Sequence, residues 1–285
     1  MSQEPSPKKM IAMNPIIRWF LFAVVGYGLL ILLVFLMQRR MIYAPETSRP
    51  TDSEAQTMGL HCWPNAADDF RGFVSADPSG HYRGTVVAFH GNAGSAWQRE
   101  YFLHALEPLG YRVILAEYPG YGGRPGETNE SNIVQDAIAT VKKARSAFGA
   151  PVFLLGESMG CGVAAAAAAC PEIDASGLIL ITPWDSLPDL AQTLYWYLPA
   201  RMLTMDRFDS VRNLQSFVRP VAVAIAENDT VVPNKHSLRL FRSLKAPKHL
   251  WVFPGAGHNS WPTEADAPWW REVMGFVAVK SHLPD

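Results

Sequence analysis

The hydrophobic pattern divides the chain into two unequal parts. From Trp19 to Met37, nineteen successive residues (WFLFAVVGYGLLILLVFLM) carry no charge. At about 1.5 Å of rise per residue, a helix of that length approaches the roughly 30 Å hydrocarbon thickness of a bilayer. Gly26 and Gly28 do not argue against it, because in lipid the backbone must bond within its own segment. Trp19 and Tyr43 suit the two interfaces, and Arg39 and Arg40 can reach headgroups. A cleaved signal peptide would have a shorter apolar core ending at small residues, whereas Gln-Arg-Arg-Met-Ile-Tyr follows here. The expectation is a polar tail over 1–15 and an uncleaved single-pass membrane anchor over 16–38. Lys8, Lys9 and Arg18 on one side balance Arg39, Arg40 and Arg49 on the other, so the charge rule leans only slightly to an N-terminus inside.

Beyond the anchor the pattern changes. Residues 39–60 read as a connecting segment, because Ala44–Thr57 (APETSRPTDSEAQT) is polar and holds two prolines. After it, over 61–285, short apolar runs alternate with longer helical patterns. Strands are expected at Thr85–His90, Arg112–Glu117, Val152–Gly156, Leu178–Thr182, Val221–Ala226 and His249–Phe253. Their near-continuous apolar character fits strands buried on both faces of a mostly parallel sheet. Helices are expected at Ser95–Leu109, at Ser131–Phe148 with Ser131 as its cap, and at Gly160–Cys170, whose six alanines from 164 to 169 would allow close packing on the sheet. The segment 183–217 joins two strands and is rich in Trp, Tyr, Leu and Met. It reads as a short helical cap or as ordinary core. The fold class expected is therefore α/β, one globular domain after one anchor.

Composition narrows the chemistry. The 285 residues are 48% hydrophobic and 18% charged, with mean hydropathy +0.01, and 25 basic against 26 acidic residues give a net charge of −1. A nucleic-acid binder would need a basic excess. Three cysteines make no disulfide framework, and none sits at metal-ligand spacing. Gly120-x-Gly122-Gly123 follows a strand but lacks the full dinucleotide fingerprint. No cofactor or metal is expected, and nothing in the sequence fixes an oligomeric state.

The chemistry concentrates where strand meets helix. Gly156-Glu157-Ser158-Met159-Gly160 places a serine at a sharp turn between the strand VFLLG and a small-residue helix, a pattern that exposes the hydroxyl. A serine needs a base, and the bases downstream are His236, His249, His258 and His282. His258 leads, because it lies in the glycine-rich loop FPGAGHNS just past a strand. His236 falls in a helix, His249 at a strand start and His282 in the tail. For the acid, Asp229 follows VAVAIA, with Glu227 in reserve and Asp185 and Asp209 further candidates. Ser158 precedes Asp229 by 71 residues and Asp229 precedes His258 by 29, leaving room for the intervening strands. An oxyanion would be met by the N–H of Met159, at the helix N-terminus, and by that of Asn92 in the loop His90-Gly91-Asn92. His90 itself precedes the serine and is expected to hold that loop. Cys161 sits about one helical turn inward and is expected to pack rather than attack.

FHGNAGS (89–95), EYPGYGGRPGE (117–127), GESMG (156–160), NDTVVP (228–233) and GAGH (255–258) together resemble the α/β-hydrolase superfamily over roughly Met41 to Lys280. With the N-terminal run, the chain resembles its single-pass branch, the bud-emergence-type hydrolases and relatives of depalmitoylases. The resemblance implies the roles of nucleophile, acid and base for Ser158, Asp229 and His258, and of oxyanion donors for Asn92 and Met159. Glu117 stands where family members often carry Asp, and Arg124 where a small serine is common; both bear on substrate fit rather than on the triad. The function implied is hydrolysis of a small-molecule or lipid-like carboxylic ester or thioester with an apolar acyl group. Peptidase or lysophospholipase activity, and a silent membrane-tethered binding protein, are the alternatives.

Overall fold

Strands with two apolar faces need cover on both, and the arrangement of helices supplies it. The computed structural model describes residues 14–64, 69–75 and 80–279. It divides into two units, Met1–Gln38 and Arg39–Asp285. Most of α1 (Pro15–Ile42) lies in the first; its 28 residues are long and apolar enough to cross a membrane, and most of its apolar side chains are exposed. Apart from Asn14 and Pro15, the tail expected over 1–15 lies outside the described residues, as does His282.

The second unit carries, in chain order, β1 (Ala44–Pro45), α2 (Asp52–Thr57), β2 (Leu60–Trp63), β3 (Gly72–Ser75), β4 (Gly84–Phe89), β5 (Ala93–Gly94), α3 (Tyr101–Leu106) and β6 (Tyr111–Ala116). It continues with α4 (Glu130–Phe148), β7 (Val152–Glu157), α5 (Met159–Ala168), β8 (Gly177–Ile181), α6 (Leu187–Leu194), α7 (Ala200–Leu203) and α8 (Ser210–Asn213). It closes with β9 (Val221–Ala226), α9 (Asn234–Ser243), β10 (Lys248–Phe253) and α10 (Pro268–Val277). Among the described residues, eight strands form one sheet in the order β10-β9-β8-β7-β4-β6-β3-β2. The six strands from β10 to β6 run parallel, and β3 and β2 complete the sheet antiparallel.

Side chains alternate across this sheet with period two. Val221, Val223 and Ile225 of β9 face one cluster with Ile133 and Val141 of α4, the alanines of α5 and Leu240 of α9. Ala222, Ala224 and Ala226 face the other, where Phe102, Trp261, Trp269 and Trp270 pack. Small residues on β9 thus leave room for an aromatic layer, with Trp269 and Trp270 ring centroids 3.8 Å apart. Full burial of each large apolar side chain contributes about 1.5–3 kcal/mol.

Three local expectations differ from the structure. Ala44–Thr57, read as a connector, holds β1, which pairs with β5, and α2, closed by a capping box between Thr51 and Glu54. The second expected helix is capped by Asn129 rather than Ser131: Asn129 Oδ1 accepts from Asn132 N at 2.9 Å. Ser95–Leu109 is not one helix but two tight turns flanking α3, and at its C-terminal end Pro108 lacks the N–H that a further α-helical bond would use. The segment 183–217, read as a short helical cap or as ordinary core, forms the short helices α6, α7 and α8.

Candidate active site

The parallel strands bring their C-terminal ends to one edge, where loops carry side chains beyond the sheet. Ser158 follows β7 directly and adopts φ 51°, ψ −115°, in the region that side chains with a Cβ rarely occupy. Such a conformation costs about 1–3 kcal/mol and persists only where its surroundings enforce it. Here Ser158 N donates to Ile181 O at 2.9 Å, and Cys161 N donates to Ser158 O at 2.9 Å, so strand and helix clamp the turn from both sides.

The flanking glycines let that turn close. A Cβ at Gly156 would lie 2.6 Å from Cys161 Cα, and one at Gly160 would meet the carbonyls of Phe89 and His90, the latter at 2.7 Å. Backbone cannot retreat as a flexible side chain would. Gly160→Ala is therefore expected to lower unfolding stability by about 3 kcal/mol through overpacking. A urea titration with an unchanged midpoint would contradict that.

The loops after β9 and β10 supply the next two groups. Asp229 sits in a turn held by Asn228 N donating to Ala256 O at 2.8 Å and by Asn234 Nδ2 donating to Ala226 O at 2.9 Å. Its Oδ1 accepts from Val231 N and Val232 N at 2.9 and 2.8 Å, which leaves Oδ2 for His258 Nδ1 at 2.7 Å. His258 Nε2 lies 2.9 Å from Ser158 Oγ. The structure thus brings Ser158, His258 and Asp229 into one hydrogen-bonded line across 100 residues of sequence. A carboxylate only accepts, so the imidazole proton lies on Nδ1, and Nε2 is the acceptor facing the hydroxyl. Ser158 and Asp229 are both buried, and the Asp229 side chain is almost wholly shielded from solvent.

The loop after β4 passes beside the serine. A Cβ at Gly91 would stand 3.6 Å from Ser158 Cβ. Buried His90 bonds to Gly91 O through Nδ1 at 2.8 Å and to Glu117 Oε1 through Nε2 at 3.0 Å. The Gly91 carbonyl can only accept, so His90 Nδ1 is the donor. Because a trans peptide sets N–H opposite C=O, pinning the Gly91 carbonyl also fixes the direction of the Asn92 N–H. Asn92 O in turn accepts from Tyr121 Oη at 2.8 Å and from Ala44 N at 3.1 Å. Met159 N is the first amide of α5, where the helix supplies no internal acceptor.

Glu117 is the hub beneath this loop. It bonds to His90 Nε2 and accepts from Ser95 Oγ and from Ala96 N, the last at 3.0 Å. The methylene that distinguishes it from Asp extends its carboxylate toward Ser95. Arg124 donates to the Glu117 carbonyl oxygen and pairs with Asp136 at 2.7 Å.

Other candidates have other partners. Glu227 accepts from Gly255 N at 2.8 Å, and Asp209 caps α8 by accepting from Arg212 N at 3.0 Å. Asp185 bonds His236 Nδ1 at 2.8 Å. Burial pushes the Asp185 carboxyl up, but hydrogen bonds from His236 and Ser186 and the charges of His236 and Arg239 outweigh it and hold the group below its ordinary range. His249 lies in β10 with its ring against Trp251. Sequence reasoning missed Arg99 and Tyr101, which donate to Glu157 beside the serine at 2.9 and 3.0 Å. Glu157 lies inside the recognised turn, but its partners have no spacing signal that would reveal them.

Cys161 is fully buried, with its sulfur 3.1 Å from both Gly156 O and Ile181 O. Burial pushes its thiol well above the usual value, and burial with a hydrogen bond to Asp52 raises that of Cys62 to about 11. Thiolate is the reactive form. In the native protein at neutral pH, iodoacetamide should leave Cys161 unmodified until denaturant is added, and Cys161→Ala should keep ester hydrolysis within about threefold. Loss of hydrolysis with the fold intact would reopen a thiol mechanism.

The family model described as serine aminopeptidase, S33, matches residues 80–204. An uncharacterized protein of Mycobacterium tuberculosis is 33% identical over 249 residues, which cover 83% of this chain and 85% of the relative. The alpha/beta hydrolase domain-containing protein 17B of Xenopus laevis is 28% identical over 216 residues, 72% of this chain and 69% of that protein. Among solved structures, an esterase of Pyrococcus furiosus is similar in fold, with a TM-score of 0.62 at 17% identity over 82% of this chain and 97% of that one.

Proposed function

The chain belongs to the α/β-hydrolase superfamily, and from that premise we propose that it is a membrane-anchored serine hydrolase. Its substrates are carboxylic esters or thioesters with an apolar acyl group, cleaved through an acyl-enzyme. One observation carries the reading. A strained serine, an imidazole and a carboxylate stand in series, at 2.9 and 2.7 Å, where the strands end.

The steps follow from proton positions. His258 Nε2 takes the Ser158 proton as Oγ bonds to the acyl carbon, and the carbonyl oxygen becomes an oxyanion. The N–H groups of Met159 and Asn92 receive that charge; an amide at a helix N-terminus is already oriented and needs no rearrangement. The oxyanion collapses, the bond to the leaving alcohol or thiol breaks, and His258 returns the proton to it. Water then repeats the sequence on the acyl-enzyme and releases the acid. Asp229 stays ionised throughout, holding the Nδ1 proton and stabilising the imidazolium.

The apolar acyl preference rests on the segment 183–217, whose α6, α7 and α8 follow β8 at the same sheet edge as the serine. Anchoring rests on α1, long and apolar enough to cross a bilayer. A panel of p-nitrophenyl esters, acyl thioesters and aminoacyl anilides tests the reading. Turnover should favour esters and thioesters and rise from acetyl to longer acyl chains. Faster cleavage of the anilides would favour amide chemistry, the second reading, which the description of the matching family model supports.

A further inference from the structure

Beyond α1, nine large apolar side chains of the described residues are well exposed, and five of them lie within 194–205: Leu194, Trp196, Tyr197, Met202 and Met205. The other four are scattered valines. Isolated apolar exposure is ordinary, but a contiguous patch marks an interaction surface. Trp196 is 79% exposed and Met202 87%, more than their neighbours in the hairpin.

The patch is built, not frayed. Gln192 joins α6 to α7, with Nε2 donating to Leu198 O at 2.9 Å and Oε1 accepting from Arg201 N at 3.2 Å. Trp196 and Tyr197 form the bend between the two helices, their rings edge to face at 5.8 Å. The twelve residues hold one charge, Arg201, which pairs with Asp189 at 2.7 Å.

The end of the hairpin tells what covers it. Buried Asp206, next to Met205, accepts from Tyr43 Oη at 2.9 Å and from Arg39 Nε at 3.4 Å. Arg39 lies two residues beyond Met37, where the apolar run ends. A run that spans the bilayer leaves Arg39 at its surface by chain connectivity alone, so Asp206 and the hairpin attached to it lie within side-chain reach of that surface. Trp, Tyr and Met with one cation and no free acid is the composition that settles at the headgroup boundary.

We propose that the 194–205 hairpin is a second membrane contact, seated in the headgroup–acyl boundary of the bilayer that α1 crosses, with Trp196 and Met202 inserted. The inference rests on the anchor reading given above. It assigns the substrate to molecules that partition into that boundary.

The test uses the full chain with Cys62→Ser and Cys170→Ser, reconstituted in phosphatidylcholine–phosphatidylglycerol vesicles. Bimane is attached in separate variants at Leu29→Cys, Met202→Cys and Val218→Cys. Val218 is an exposed residue preceding β9, at the strand edge opposite the serine. Lipid carrying a doxyl group near the headgroup should quench position 202 at least about threefold more strongly than position 218, and position 29 should be shielded from aqueous iodide and quenched by deeper doxyl groups. Equal doxyl quenching at 202 and 218, with position 29 in lipid, would overturn the docking and leave the anchor intact. Iodide shielding at 202 without doxyl quenching would assign the face to a second copy of the chain and equally overturn it. Position 29 open to iodide would overturn the anchor, and the docking with it.

Discussion

Replacing Ser158 by alanine should lower kcat/KM for p-nitrophenyl acyl esters by about 10^4- to 10^6-fold while leaving the unfolding midpoint in place. The size follows from what the oxygen does: without it no acyl-enzyme forms, and only binding and oxyanion stabilisation act on direct attack by water. The fold should survive because the clamp on this turn is made by the backbone, through Ser158 N to Ile181 O and Cys161 N to Ser158 O. The recorded side-chain partner of Ser158 Oγ is His258. Alanine keeps the Cβ that the turn already accommodates at φ 51°. Steady-state kinetics beside a urea melt checks both halves, and a variant retaining a tenth of wild-type turnover would remove Ser158 from the mechanism.

Asp229→Asn should cost about 10^3- to 10^4-fold in kcat with little loss of structure. The amide oxygen can still accept from Val231 N and Val232 N, so the turn holds. Its NH2 then faces His258 Nδ1 and donates, which moves the imidazole proton to Nε2. An Nε2–H cannot accept from the serine hydroxyl, so the base is present in the wrong tautomer. Asp185→Asn is the matched comparison. Asp185 also bonds a histidine nitrogen at 2.8 Å, but that histidine is His236, whose other nitrogen faces Thr193 Oγ1 at 3.0 Å. Its replacement should leave turnover within about threefold, and similar losses in the two variants would mean that the assignment of the acid is wrong.

The three side chains that meet at the candidate site were legible in the sequence because their constraints are local. Ser158 announces itself by two glycines that backbone crowding requires, and Asp229 and His258 each follow a strong strand by a few residues in loops with turn chemistry. The parallel strands were legible for a related reason: burial on both faces makes them nearly continuous apolar runs. β2 and β3 escaped because LHCW and GFVS are only four residues long and mix polar with apolar positions. Their pairing is antiparallel and nonlocal, with β3 docking on β6. α2 carried a readable signal, Thr51 with Glu54 three residues on, hidden by the polar, proline-containing stretch around it. The Glu117 hub was not legible at all. It gathers His90, Ser95 and Ala96 from a loop more than twenty residues earlier, and nothing in a linear spacing says that a buried glutamate will find them. The same holds for Asp206, an ordinary acid in sequence that reaches back to Arg39 and Tyr43.

The central claim is that His258 activates the Ser158 oxygen for attack on an electrophile. Intact-protein and peptide mass spectrometry after treatment with an alkyl fluorophosphonate tests it most directly, because the reagent bonds only to an activated nucleophile. The account predicts one adduct per chain on the peptide containing Ser158, none on Ser158→Ala, and labelling slowed at least about 10^3-fold in His258→Ala. An adduct on another residue, or equal labelling of folded wild type and His258→Ala, would contradict it.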